Sequence, residues 1–442
     1  MPAVDLPLLL PELRFDPSGG ASVGRSLLPS GLRILTERMP GAASATVGFW
    51  VPAGSRDEAE GAFGSTHFLE HLLFKGTVGR SALDIAVAFD AVGGDHNAAT
   101  AKEYTCYYAR VRDRDLPMAV DVLADMIAAS VVDPEEFELE RGVILEELAM
   151  ADDDPADVAG ERFAEAVFGA HPLGRPIGGS PESIRAVDRD RVFAHYLEHY
   201  RPEELVVVAA GAVEHERFVE AVVAALSAYG WDLGTAAAPR PRRPSDPERL
   251  TPACRVLAVE RPLEQVSIEI GMPADGVASA ERPVYAVMNA VLGGGMSSRL
   301  FQEVREKRGL AYGIGSAWHA YSDAGEFAVS ASCTPGKLGE LRRVVEGELD
   351  RIAAEPITEE ERARAIGQLT GGSALGLEST SARMHRLARA ELHLGAYLDL
   401  DTVTAELEAV TPDAVQALAA RLVAAPRVTV GVGPVTEAAL GG

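Results

Sequence analysis

The sequence is 442 residues long, which at about 150 residues per domain points to two or three domains. Hydrophobic residues make up 47% and charged residues 24%, enough to bury a large core and inconsistent with disorder as the main state. With 41 Lys+Arg against 66 Asp+Glu the formal charge is −25, so the average surface repels phosphate backbones and anionic lipid, and neither nucleic acid nor a membrane is expected as a partner.

At the N-terminus one short apolar run, Leu8 to Leu10, lies between Pro7 and Pro11. It is too short for a signal-peptide core, and no stretch reaches the ~18 apolar residues of a membrane span, so a cytoplasmic location is expected. Strands are predicted at LRILTERM and ATVGFWVPAG, where β-branched residues alternate with others. GSTHFLEHLLFKG follows as a helix of two to three turns, with Ser65 or Thr66 as its cap and Gly76 as its end. Further helices are predicted at ALDIAVAFDAV, LPMAVDVLADMIAAS and DPEEFELERGVILEEL, the last with Asp133 and Glu136 as a capping box and Pro134 at its first position. The three cysteines, Cys106, Cys254 and Cys333, are odd in number and widely spaced, which fits a reducing compartment better than a disulfide framework or a thiolate metal site.

The chain repeats itself near half its length. Gly211 and Val213, after a helix and a β-rich run, recur as Gly433 and Val435 at an offset of 222, and ERGVILEEL (140–148) faces ERARAIGQL (361–369) at 221. The expected division is an N-terminal half at 1–233, a Pro/Arg-rich linker at 234–253 and a C-terminal half at 254–442, which opens with the strands CRVLAVE and VSIEIGMP. Strands and helices interleave without regular βαβ alternation, so the expected class is α+β: two duplicated α/β-sandwich halves with mostly antiparallel sheets, facing each other across a clam-like cleft.

His67, Glu70 and His71 carry the sharpest chemical signal. Positions i and i+4 share a helix face, so both imidazoles point the same way with Glu70 beside them. Two neutral imidazoles and one further ligand leave a fourth zinc position for water, whose proton Glu70 could take; the order is that of HExxH inverted. An acidic third ligand is expected from another buried helix. On 133–148, Glu140 and Glu147 lie in one stripe with Val143 or Ile144 and accompany the apolar face inward, whereas Glu146 is turned about 100° away.

Taken together, HFLEH, GGDHNAATAKEYTCYYARV, ERGVILEEL with the following DDDP, and LGGGMSSRLFQEVREKRGLAYGIGS make the chain resemble the pitrilysin-type metallopeptidases, within them the bacterial relatives of the mitochondrial processing peptidase. The resemblance implies that Glu147, 76 positions after His71, is the third ligand of one zinc ion per chain, and that Glu140 supports the site from outside. It also implies that Arg305 and Tyr312 hold a substrate carbonyl, and that Asn97, Ala98 and Ala99 form an edge to which an extended peptide adds a strand. In the second half His67, His71 and Glu147 meet Tyr285, Asn289 and Gln368, so no metal site survives there.

The implied function is a zinc-dependent endopeptidase acting on peptides or flexible protein segments, with Glu70 as general base. The alternative is a non-catalytic scaffold subunit of the same fold; a metal-storage protein would need ligand-rich tracts that are absent. Relatives of this size pair into dimers, so a homodimer is expected, with a heterodimer of related subunits as the other arrangement. The ligand set would also suit manganese or cobalt.

Overall fold

The computed structural model describes residues 3–245 and 250–441; positions 246–249 of the expected linker lie outside the described residues. The chain forms two compact units. The first comprises Met1–Leu148, Pro176–Arg242 and Leu375–Asp399, and the second Ala149–Arg175, Arg243–Ala374 and Leu400–Gly442. The division expected from chain order differs at two segments, because 149–175 belongs to the second unit and 375–399 to the first.

The first unit is built on a seven-stranded sheet of β1 (Glu12–Phe15), β2 (Ser22–Leu27), β3 (Arg33–Arg38), β4 (Ser44–Val51), β5 (Asp95–Thr100), β6 (Thr105–Arg112) and β7 (Val206–Gly211). Its order is β1-β2-β3-β7-β4-β6-β5, antiparallel except for β3 with β7. The second carries β8 (Val256–Glu260), β9 (Val266–Ala274), β10 (Ile314–Ala320), β11 (Gly325–Cys333) and β12 (Val428–Gly433) in the order β10-β11-β9-β12-β8, with β8 and β12 its parallel pair. Strand for strand, β3-β7-β4-β6-β5 repeats as β8-β12-β9-β11-β10, so the internal duplication is a duplication of topology, and β1 and β2 are additions to the first copy.

The first sheet is buried on both faces, which explains why its central strand β7 is apolar throughout. One face of the first sheet packs with the helices Leu116–Ala129 and His215–Ala228 around Phe49, Tyr107 and Val207. The other face buries Trp50, Cys106 and Val208 under Met384, Leu387 and Ala388 of the helix Thr380–Arg389. The segment that carries this helix is pinned electrostatically as well as by packing. Glu391, fully buried, lies 3.1 Å from Arg25, 3.4 Å from Arg33 and 3.2 Å from Arg242, and Arg386 reaches Glu37 of β3 at 2.8 Å. In the second unit one face of the sheet is covered by the helix Pro155–Phe168, whose Phe163, Ala166 and Val167 pack on Val428 and Val430, and the other packs with the helices Arg282–Leu292, Leu338–Ala354 and Pro412–Val423. No described helix is long and apolar enough to cross a membrane.

Candidate metal centre

The helix bearing the histidines spans Ser65–Leu73 and starts one residue earlier than its polar residues suggest. Gly64 occupies the cap position at φ 94°, where only glycine is unstrained and where a Cβ would meet Ile184 Cδ1 at 2.4 Å. Ser65 and Thr66 are therefore inside the helix, and a residue from outside it supplies the cap. Glu58 accepts from the Gly64 and Thr66 N–H groups at 2.7 Å each, a carboxylate placed where the helix dipole is positive. Phe68, Leu69, Leu72 and Leu73 are buried and fix the helix, leaving His67, Glu70 and His71 half-buried on its open face.

The second helix runs from Pro134 to Asp152, with Asp133 Oδ1 accepting from the N–H of Glu135 at 2.8 Å and of Glu136 at 3.2 Å. Phe68 and Phe137 stack at 4.4 Å and 10° between the two helices, with Arg141 over the Phe137 ring. That contact sets Glu140 and Glu147 opposite the histidines. Glu140 is buried as expected, whereas Glu147 does not turn into the core: its side chain is 48% exposed. Ile144 alone carries the apolar stripe between them, and Val143 stands out in solvent.

His67 Nε2 and His71 Nε2 lie 3.3 Å apart, and Glu147 Oε2 is 3.6 Å from the first and 3.3 Å from the second. Tetrahedral donors at zinc–nitrogen and zinc–oxygen bond lengths sit about 3.3–3.4 Å from one another, so this triangle has the edge of a tetrahedral zinc site and leaves its fourth corner open. It is the one cluster of three His, Cys, Asp or Glu donors among the described residues that could hold a metal ion. Burial first, and the neighbouring His71 second, push His67 below the ordinary histidine range, with Glu70 and Glu147 acting the other way. The result is a neutral imidazole, the form that donates to a metal.

Around the triangle, His71 Nδ1 is 2.9 Å from Glu140 Oε2, and Glu140 Oε1 is 2.6 Å from Lys75 Nζ. Thr100, at the end of β5, donates its hydroxyl to Glu70 Oε2. Sequence reasoning missed Lys75, Thr100 and Glu58. Lys75 was findable four residues after His71 on the same face, and Thr100 two residues after Ala98 on the same side of a strand; nothing local marks Glu58. The segment with Asn97, Ala98 and Ala99 is β5 itself, the edge strand of its sheet, paired through β6 alone. Asn97 Oδ1 accepts from the Ala98 N–H at 2.8 Å.

Arg305 and Tyr312 belong to the second unit and come together there: the guanidinium carbon lies 4.4 Å from the Tyr312 ring centroid, on a π-helical turn, Phe301–Glu306, and Tyr312 is 83% exposed. The second-copy positions are absorbed into ordinary structure. Tyr285 stacks on Trp318 at 4.1 Å, Asn289 accepts from the Ser316 hydroxyl at 2.6 Å, and Gln368 donates to the Gly294 carbonyl at 2.8 Å.

Residues 33–180 match the insulinase profile of peptidase family M16, and residues 186–369 match the peptidase M16 inactive domain. The chain belongs to the M16 family. An uncharacterised zinc protease of Streptomyces coelicolor is 47% identical over 91% of this chain and 87% of its own length. Another of Mycobacterium tuberculosis is 44% identical over 92% of each, and one of Bacillus subtilis 35% identical over 90% of this chain and 95% of its own. Among solved structures, a protease from Helicobacter pylori superposes with a TM-score of 0.83 at 20% identity over 93% of this chain and 99% of its own. A chain of complex III2 from Candida albicans reaches 0.80 at 18% over 94% and 96%. At such identities these two establish the fold, and the M16 fold serves proteins with different names.

Proposed function

We propose that this M16 protein is a zinc-dependent endopeptidase acting on peptides or flexible protein segments, with one metal ion per chain. The observation that carries the reading is the donor triangle of His67, His71 and Glu147, whose edges fit tetrahedral zinc with three protein donors and a fourth position left for water or substrate. A divalent metal there supplies Lewis acidity toward a peptide carbonyl and toward water. The chain's own residues do the rest. Glu70 takes the proton of the attacking water and passes it to the leaving amine; the Thr100 hydroxyl holds one of its carboxylate oxygens and leaves the other for the proton. Glu140 orients the His71 ring from its far nitrogen.

The substrate is read as an extended strand added to the open edge of β5 beside Asn97 and Ala98. Small side chains there admit a peptide backbone, and the Asn97 amide gives up the Ala98 N–H when the peptide pairs with it. Arg305 and Tyr312 hold a substrate carbonyl through guanidinium and hydroxyl donors. The working form is a homodimer in the cytoplasm. A scaffold role is disfavoured by the intact donor set, which a structural subunit has no need to keep.

The test pairs metal analysis of the purified chain with a screen of quenched peptides. The reading expects close to one zinc per chain, hydrolysis of some peptides, and loss of both in His71→Ala. Full zinc occupancy in that variant would remove the assignment.

A further inference from the structure

On the central strand of the second sheet, Glu269 is 9% exposed and makes one hydrogen bond, from the Ser330 hydroxyl at 2.9 Å; among the described residues no cation pairs with it. Burial raises its carboxyl to about 7, and the Ser330 hydroxyl is what pulls it back. A buried carboxyl without a cationic partner is costly, and it calls for an explanation in terms of what it faces.

It faces a pocket of about 550 Å³ whose lining belongs entirely to the second unit. The strand register explains why the pocket exists. Glu269 pairs with Ser330, which pairs with Gly315, and one row along Ser267 pairs with Ser332. Residues in register share a face, so four polar side chains stand together, and at the sheet edge Gly315 has no side chain to cover them. On the other flank the same rows continue into Val430 and Val432, which are buried under Phe163, Val158 and Ala159 of the covering helix. Where the face turns polar that helix offers only Ala156 and Ala159 to the pocket, too short to fill it. Tyr312, which carries Arg305 against its ring, is the other ionisable side chain in the lining, and Ser330 and Ser332 stand beside Glu269 from β11.

We propose that this pocket is a recognition site for the guanidinium of an arginine side chain in a peptide, with Glu269 as its counter-ion. A guanidinium brings five donors in a planar fork, which suits a carboxylate flanked by serine hydroxyls better than a point-charge ammonium does. Binding balances as an exchange: neutral Glu269 loses its proton to solvent as the cation enters, and the carboxylate–guanidinium pair takes its place. As a subsite for substrate the pocket rests on the peptidase reading, but binding to it does not.

The probe is acetyl-arginine amide, titrated calorimetrically into the full chain in two buffers of different ionisation enthalpy, with acetyl-citrulline amide as the uncharged isostere. The expected result is that the arginine probe binds with release of a proton below pH 7, binds about tenfold more weakly at pH 6 than at pH 8, and outcompetes citrulline. Glu269→Gln, which keeps the shape of the neutral acid, is expected to lose both the binding and the proton release. The proposal fails if the arginine probe does not bind, if citrulline binds as well, if the affinity is flat with pH, or if a folded Glu269→Gln protein binds like wild type. The pH profile and proton count come from the unaltered chain, so they decide the matter even if the variant does not fold. Absence of peptidase activity alongside arginine binding would count against the peptidase reading alone.

Discussion

The Nδ1 of His71 lies 2.9 Å from Glu140 Oε2, and the other Glu140 oxygen lies 2.6 Å from Lys75 Nζ. A carboxylate so placed fixes the ring's tautomer, puts the Nε2 lone pair toward Glu147 and His67, and is itself held by a cation. Glu140→Gln keeps the volume but weakens this hold, and loss of such an outer partner typically lowers metal affinity ~10- to 100-fold. Competition with a chelator of known affinity measures the change. A variant that retains zinc as tightly as wild type would show that the His71 ring needs no such support.

Glu70→Gln removes the proton acceptor without altering the ligands, and loss of a general base typically costs ~10²- to 10⁴-fold in rate. Zinc content is expected to stay near wild type. Thr100→Val removes only the hydroxyl that holds Glu70 and is expected to give a smaller loss of the same kind. If Glu70→Gln keeps most of its peptidase rate, Glu70 is not the base.

The contrast between Glu147 and Glu58 shows what was legible in the sequence and why. Glu140 and Glu147 stand in a spacing that helix geometry turns into one shared direction, and the family resemblance, not the spacing, singles out Glu147 to meet His67 and His71; its exposure could not be anticipated, since a stripe of two glutamates and one isoleucine reads as inward-facing until Phe137 fixes the helix's rotation against Phe68. Glu58 caps a helix through a loop that no periodicity describes. The duplication was visible at offsets near 221, yet the exchange of the helices 155–168 and 380–389, each covering the sheet of the other half of the sequence, was not, because an apolar stripe declares that it must be covered without naming the sheet that covers it. Glu269 was silent for a related reason: alternation in VSIEIGMP marks a strand with one polar face, and a polar face on a central strand becomes a pocket only when glycine and alanine leave it uncovered.

Glu391 is expected to be the most costly acidic side chain to remove. Arg25 and Arg33 are at most 1% exposed, and both lose their counter-ion when it goes. Breaking one partner out of a buried ionic cluster destabilises by roughly 3–5 kcal/mol, so Glu391→Gln should lower the denaturant midpoint sharply, whereas Glu360→Gln, in an exposed pair with Arg364, should leave it within ~0.5 kcal/mol. Equal midpoints for the two variants would contradict this assignment.

His195 predicts an acid-sensitive fold. Burial first, and His199 beside it second, hold its imidazole down to about 4, with Asp57 and Glu198 opposing, and its Nε2 lies 3.2 Å from the Thr66 hydroxyl in the first turn of the histidine helix. The unfolded chain takes up this proton near 6.5, so the contribution is fully present above pH 6.5 and is lost as the pH falls toward 4. The shift corresponds to about 3 kcal/mol. Denaturant unfolding at pH 7.5, 5.5 and 4.5 should show that decline, and His195→Gln, which retains a partner for Thr66, should flatten it. An unchanged slope in the variant would place the acid sensitivity elsewhere.

Arg305 and Tyr312 form a stacked pair, with the guanidinium carbon 4.4 Å from the ring centroid, so the two cannot be treated as independent donors. Tyr312→Phe keeps the ring under Arg305 and removes the hydroxyl alone. Arg305→Ala removes the guanidinium and also frees the ring it lies on. Both belong to the second unit, and all three proposed metal donors belong to the first, so neither change is expected to alter zinc content or the metal's pH dependence. If both groups hold one substrate carbonyl, each single variant lowers kcat/KM, Arg305→Ala by more, and the double variant loses less than the sum of the two in free energy. Steady-state kinetics on a peptide of ten or so residues, with zinc measured on the same preparations, supplies the cycle. Strict additivity would separate the two groups, and wild-type kcat/KM in both single variants would leave the pair as a surface stack with no part in binding substrate.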